Sequence, residues 1–595
     1  MRYIFHGASV LRFWSATVTL GLCSCYLGSG DSGLAETASS TTDDGDSSAE
    51  RGSEGIGETD ETGDSDDTGD SGGTGESEVP CALIERRIRR LGPEQYDNTV
   101  AALIPGAEAE TPSQGWRSSF TATQSISHST DTLTLASPHV YDLMRVAQGL
   151  AAKVSAQPSI VAQCMAEDSA DVACHREFVT NLLDRAFRRP PTDIEIDDYA
   201  DFLGEQLAAY DIKTAIEQAT TRALVSPDFL FRSELGDMET SGGDDDESLE
   251  LTAYEQASQI SYFLSDAPPD ALLRAAAETG VILDDSEKAK HIARLLENSE
   301  TSQGVRRFVL DHIGSGAVLE ANKDIEVFPQ VEDPAVFRAM ADETDAYVSH
   351  ILWSDTGNFS TLMRAPYTFV NQSNAGLYGL DPTEFDESFI KYDFTTQRRA
   401  GFLTQPSLMA VLSKSAETGI VSRGLYMMEN ILCLDVPPPP DGINAVTPDF
   451  DESAPMTQRE RIGMHTEDPS CASCHSMFDP LGFAFEHYDA LGGWRDDEHG
   501  LPIDASGMIP SMGSSPEIPT TGPVEMVEAL AGHPAAQHCF AQRLYTYTFA
   551  RHGHADRCAI DTLDTELTAG TVLDAVTEMI LSEQFSTRRF QDDEN

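Results

Sequence analysis

The sequence predicts a mainly α, multidomain helical body preceded by a disordered acidic linker. Three observations carry that reading. Helix-start signatures open apolar runs at helical spacing, alternating β-branched runs are scarce, and the composition changes abruptly near Pro80.

The chain opens Met1-Arg2-Tyr3, adds Arg12, and then runs apolar around Val18 to Leu22. That is a cationic n-region and a short h-region, too brief for a membrane span. The run ends Leu22-Cys23-Ser24-Cys25, which resembles a lipobox and implies a signal peptide over residues 1–24 and diacylglyceryl attachment at Cys25. Plain cleavage nearby is the alternative. The expectation is an exported envelope protein, lipid-anchored to the periplasmic or outer face, whose membrane contact is that lipid.

Residues 25–80 repeat an Asp/Thr/Gly/Ser theme, as in Thr41-Thr42-Asp43-Asp44-Gly45-Asp46, with almost no large apolar residues. Such a stretch buries too little surface to offset chain entropy, and its charges extend it into a tether. Calcium binding is disfavoured because the D-x-D-x-D-G…E loop order is absent. The formal charge of −60 extends into the body, which argues against nucleic acid or anionic lipid headgroups as partners. A cationic electron-transfer partner would be attracted, and adaptation to a saline medium is a second explanation.

From Cys81 to Asn595 the chain is long enough for roughly two to four domains. Thr192-Asp193-Ile194-Glu195 is a capping box that opens the run through Tyr199, Phe202, Leu203 and Leu207. Thr252-Ala253-Tyr254-Glu255 is another, leading into Ala257, Ile260, Phe263 and Leu264. Near the end, Val572, Val576, Met579 and Ile580 mark one apolar helix face.

The most informative motif is the pentad Cys471-Ala472-Ser473-Cys474-His475. In an exported protein C-x-x-C-H is the attachment signature of covalent c-type haem: two thiols form thioethers and the adjacent imidazole becomes the proximal axial iron ligand. A redox dithiol or half of a zinc site are the competing readings. The flanks, Thr466 to Ser470 and Ser476 to Pro480, read as loop rather than as the strand-to-helix turn of a dithiol. A structural zinc site needs four ligands and no second C-x-x-C lies nearby. The expected cofactor is therefore one covalent haem c held by Cys471, Cys474 and His475.

The sixth position is open at this stage. Met477 is too close in sequence to reach the opposite face, so His465 upstream and Met508, Met512 or Met526 downstream are considered, with Met508 and His465 preferred. Methionine would raise the potential, histidine would lower it, and a vacant position would permit peroxide chemistry. Phe478, Phe483, Phe485, Tyr488 and Trp494 read either as an apolar haem wall or as ordinary core. Arg495 could hold a propionate or pair with Asp496 or Asp497. Pro437 to Pro440 favour a stiff polyproline connector.

Of ten cysteines, Cys23 leaves with the signal, Cys25 takes lipid, and Cys471 and Cys474 take haem. Six remain, which suggests up to three disulfides. Local closure favours Cys164–Cys174 and Cys539–Cys558, leaving Cys81 with Cys433. His533, His538, His552 and His554 gather in sequence without a standard zinc spacing and read as surface imidazoles. There is no nucleotide-binding glycine loop, G-x-S-x-G elbow or H-E-x-x-H helix.

Several segments resemble a bacterial family of extracytoplasmic cytochrome-like proteins built from domains of unknown function 1587, 1595, 1592, 1588 and 1585. Ile84-Glu85-Arg86-Arg87-Ile88-Arg89-Arg90 with Tyr96 and Asn98-Thr99 resembles the first domain, which runs from a basic helix to a Tyr and an Asn-Thr pair. Phe187 to Pro190 and Ala223 to Arg232 resemble the second; Gln259 to Leu264, Phe369 to Asn371 and Leu377 to Gly379 the third. Thr404 to Pro406, Ser422 to Gly424 and Cys471 to Arg495 resemble the fourth, with Asp479 to Glu486 its most specific block. Phe540 to Arg551 and Ile580 to Phe585 resemble the fifth. His487 stands where the family commonly has Asn, and Met477-Phe478 replaces a basic residue and Met. The resemblance implies helical domains over 81–165, 166–240, 248–385, 395–500 (with the haem segment embedded) and 515–592. It brings no substrate. The expected function is electron transfer by an envelope lipoprotein, with an unknown redox partner such as another cytochrome. A non-redox scaffold for polysaccharide or protein, and a haem oxidase or peroxidase acting on an external polymer, stand as alternatives.

Overall fold

A computed structural model describes residues 81–104, 107, 137–166, 171–236, 248–437, 455–513, 515–550 and 556–589. Cys25, the signal-like segment, the acidic linker, Pro438 to Pro440, His552 and His554 lie outside the described residues. Helices dominate, and the strands are two to four residues long. The local signals explain why. Thr192 caps Asp193–Ala209 and Thr252 caps Ala253–Ser265, each with a reciprocal Glu three residues on. Val572–Leu581 buries Val572, Val576, Met579 and Ile580 along one face.

Two large cores result. Pro93–Leu103, Ser137–Ala156, Val172–Phe187, Asp193–Ala209 and Ile212–Leu224 enclose Tyr96, Phe178 and Phe229. Downstream helices, including Ala253–Ser265, Gln303–Ile313, Ala335–Ser354 and Pro534–Phe549, enclose Phe308, Phe402, Phe485, Phe540 and Phe585. Tyr262, on a helix of the second core, turns its ring into the first and bonds Thr99 through its hydroxyl at 2.7 Å.

The chain ends are stitched to the middle. Ile84–Glu85 pairs in parallel with Thr587–Arg589, which also pairs antiparallel with Ser248–Glu250. The expected basic helix at Ile84 to Arg90 is instead strand. Arg87–Arg90 pairs antiparallel with Phe231–Glu234, because those two segments close over the first core.

Two disulfides differ from the expected pattern. Cys164 joins Cys174, whereas Cys81 joins Cys558 and Cys433 joins Cys539. Local closure of Cys539 on Cys558 fails for a geometric reason. Cys539 lies ten residues before the end of Pro534–Phe549, and Cys558 opens the next helix, Arg557–Ala569. Ten helical residues span about 15 Å, beyond the roughly 7 Å that a disulfide allows between Cα atoms. Loop entropy favoured the nearer partner; helix packing supplied the farther one.

Candidate functional site

The pentad lies on a helix, Pro469–Phe483, rather than in the loop its flanks suggest. Pro469 sits at the first turn, where a missing N–H costs nothing, and Cys471 and Ala472 donate to the Asp468 carbonyl at 3.0 and 2.9 Å. Pro480 stands inside the helix three residues before its end, where it withholds the N–H that the Ser476 carbonyl would otherwise take. Helical geometry puts Cys471, Cys474 and His475 on one face, at spacings of three and four.

This helix is anchored at one end and open at the other. Its C-terminal half crosses Ile420–Tyr426 closely. A Cβ on Gly482 would stand 2.1 Å from the Ile420 carbonyl, and one on Gly424 would stand 2.1 Å from that of Phe478. Arg423, fully buried, donates to the carbonyls of Phe485, Tyr488 and Asp489 at 2.8, 3.1 and 3.0 Å. It thereby supplies donors to carbonyls just beyond the helix end. Glu486 beside it is pushed above the usual carboxylate range by burial, against the pull of Arg423 and Arg495. The N-terminal half, by contrast, leaves Cys471 and Cys474 partly accessible.

His475 is oriented by its own helix. Its Nδ1 stands 3.1 Å from both carboxylate oxygens of Asp479, one turn on. Asp479 is buried, and desolvation raises its affinity for a proton despite the neighbouring His475 and His465. The Phe478 ring lies 4.9 Å from the imidazole. His465, at the end of Gln458–His465, packs edge to face on His475 with ring centroids 5.3 Å apart. Met508 lies on Gly507–Ile509, paired with Pro519 and level with the far half of the pentad helix, where Gly507 abuts Pro480 and Ala484. Met526 is fully buried in the core. Of the distal candidates, the fold brings His465 to the pentad.

The other expected participants separate from it. Phe485 and Tyr488 are core residues, Phe483 lies under Arg459, and Trp494 stacks on His487 at 4.4 Å. Arg495 pairs with Glu486 and Glu498, not with Asp496 or Asp497. Among the histidines, His533 caps Pro534–Phe549, while His538 meets Asp564 at 2.6 Å. Asp561 joins that pair, so one ligand atom from each lies within 4.8 Å of the others. Sequence reading missed both carboxylates, because they reach His538 only across the packing of two helices.

The residues present suit a covalent haem. Six of the eight described cysteines are in disulfides, while Cys471 and Cys474 remain as thiols one helical turn apart. The imidazole next to them is held through Nδ1, which leaves Nε2 as the atom that would ligate a metal. Iron ligation by an imidazole needs that arrangement.

Comparison with known proteins gives four family matches. Residues 174–234 match a protein of unknown function (DUF1595), and residues 251–380 another (DUF1592). Residues 399–498, which contain the pentad, match PSCyt3, a protein of unknown function (DUF1588), and residues 519–585 match a fourth (DUF1585). No curated protein and no solved structure matches the chain. The matches occur in series and together cover more than half of the sequence. The chain therefore belongs to the cytochrome-like multidomain family assembled from these domains.

Proposed function

We propose that this protein is an envelope-anchored, c-type cytochrome-like lipoprotein that transfers electrons. Its single haem is held by Cys471 and Cys474, with His475 as the proximal ligand. The observation that carries the reading is the survival of two thiols, one turn apart beside a pre-oriented imidazole, in a chain whose other described cysteines are all oxidised. When bound, the haem supplies one-electron chemistry. Asp479 fixes the His475 tautomer and ring orientation, as carboxylates do behind metal-ligating histidines. The buried half of the helix, clamped by Arg423, holds that imidazole against displacement. His465, which packs on His475, is the described residue that would be at hand as a second histidine toward a bound haem.

Protein exported from a host with c-haem maturation machinery should stain for haem on a denaturing gel. Cys471→Ser with Cys474→Ser should abolish the stain. Full export with intact, unmodified thiols would reject the reading. A low-spin spectrum that becomes high-spin in His465→Ala would place the distal ligand. The anchor is tested separately: Cys25→Ser should release the protein from the membrane fraction and abolish labelling by a fatty acid.

A further inference from the structure

The chain carries 99 acidic residues against 39 basic ones, yet five arginines converge in one place in its interior. Arg89 and Arg232 face each other directly across the two-stranded pairing of Arg87–Arg90 with Phe231–Glu234, a like-charge register that destabilises a sheet unless compensated. Glu234 is the buried carboxylate among them. It accepts from Arg87 at 2.9 Å, Arg89 at 3.4 Å and Arg588 at 2.8 Å. Arg188 is satisfied by the carbonyls of Asp228, Phe229 and Phe231 at 2.8, 3.0 and 2.7 Å.

Arg232 is the exception. It is 5% exposed, its guanidinium makes no hydrogen bond to any described residue, and its Nε is sealed from solvent without an acceptor. It lies over the Tyr262 ring, 4.7 Å from the centroid. Glu234 acts on it but is shared with Arg87, Arg89 and Arg588, and a buried guanidinium without a hydrogen-bonded counter-ion is a costly thing for a fold to keep.

This arginine lines a cavity of about 410 Å³, within the range that takes a small organic ligand. Arg188, held by backbone carbonyls, and Arg189, paired with Glu195, also line the cavity, and Phe187, Phe231 and Leu235 give it apolar wall. Glu255 also lines it, but its carboxylate already accepts from the Leu235, Gly236 and Thr252 amides and the Thr252 hydroxyl. Asp228 at the rim is engaged with Arg189. Glu195 and Asp228 together discharge Arg189, so among the described residues that line the cavity Arg232 is the guanidinium left to match one negative charge.

We propose that this cavity binds a small organic monoanion, a carboxylate on an apolar body, with Arg232 as its counter-ion. A guanidinium presents parallel N–H groups that match a carboxylate, and the apolar wall takes the remainder. The site is independent of the haem reading.

The test uses the full-length protein with hexanoate and benzoate as probes, and hexanamide, benzamide and inorganic phosphate as controls. Calorimetry and thermal melting should show saturable binding of the two carboxylates. The neutral amides should bind at least tenfold more weakly, and phosphate likewise. Arg232→Met should weaken carboxylate binding at least tenfold while leaving the circular dichroism unchanged. If that variant does not fold, Ser258→Glu decides, because it places a carboxylate at the cavity wall and should abolish binding of the probes. Absence of saturable binding overturns the proposal. So does equal binding of amides or phosphate, undiminished binding by Arg232→Met, or undiminished binding by Ser258→Glu.

Discussion

Arg423 and Arg232 are both buried arginines whose Nε finds no acceptor among the described residues, but the rest of each guanidinium meets different surroundings. Arg423 reaches three backbone carbonyls, the Ser413 hydroxyl at 3.0 Å and Glu486 at 3.5 Å. Arg232 has Glu234 nearby but hydrogen-bonds none of its neighbours, and it borders a cavity. Glu343 shows a third solution. Burial lifts it from the ordinary 4.5 up to about 7, so it sits protonated at mildly acid pH among Thr368, Tyr378 and Asn374. One buried ionisable group is built into the fold, one is discharged by a proton, and one waits for a partner from outside. What separates them is the local supply of acceptors and donors, not burial itself.

The largest expected effect tests the built-in arginine. Arg423→Met leaves Glu486 with only Arg495 and Thr418, strips the Tyr488 carbonyl of its donor and removes one of two donors from those of Phe485 and Asp489, so unfolding should become easier by about 3–5 kcal/mol. Chemical denaturation measures this, and a loss below about 1 kcal/mol would erase the contrast with Arg232.

Next comes Glu343. Its proton affinity is higher folded than unfolded, so its contribution is fully present below about pH 4.5 and is lost as pH rises through about 7. The loss amounts to at most about 3 kcal/mol. Glu343→Gln should flatten that slope of stability against pH, though at a lower baseline because Asn374 loses an acceptor. An unchanged slope would assign the titration to other groups.

Glycine contacts come third. Gly424→Ala would push a methyl into the Phe478 carbonyl and separate the crossing helices, costing about 1–3 kcal/mol. Gly463→Ala, on Gln458–His465 with nothing within 4 Å, should instead stabilise by about 0.5–1 kcal/mol. Opposite signs for the two variants would separate close approach from helix propensity.

The smallest effect closes the comparison. Without added anion, Arg232→Met should destabilise by no more than about 1 kcal/mol, because the cation it removes had no hydrogen-bond partner to lose. A loss as large as that of Arg423→Met would mean that Arg232 is structural after all.

What was readable in advance was local. The capping boxes at Thr192 and Thr252 state helix starts within four residues, and the structure has both helices there. The mainly α class follows from such signals repeated along the chain. The family is likewise written in short motifs, among them the block around Asp479 to Glu486. The helical state of the pentad was less readable. Two prolines within twelve residues argued for loop, whereas one falls in the first turn and the other near the last. Arg87–Arg90 misled for another reason: the expected helix came with the family resemblance, and four residues with a single Ile are too few to distinguish strand from helix.

The amino-acid order by itself determined the helical class, the family and the C-x-x-C-H grouping, because each depends on residues at most a few positions apart. Only the tertiary structure decided that Cys433 takes Cys539 and Cys81 takes Cys558. Folding also set His465 against His475 and left Arg232 facing a cavity without an acceptor. Those outcomes depend on where helices cross, and a linear pattern specifies which face of a helix is apolar without specifying what will meet it.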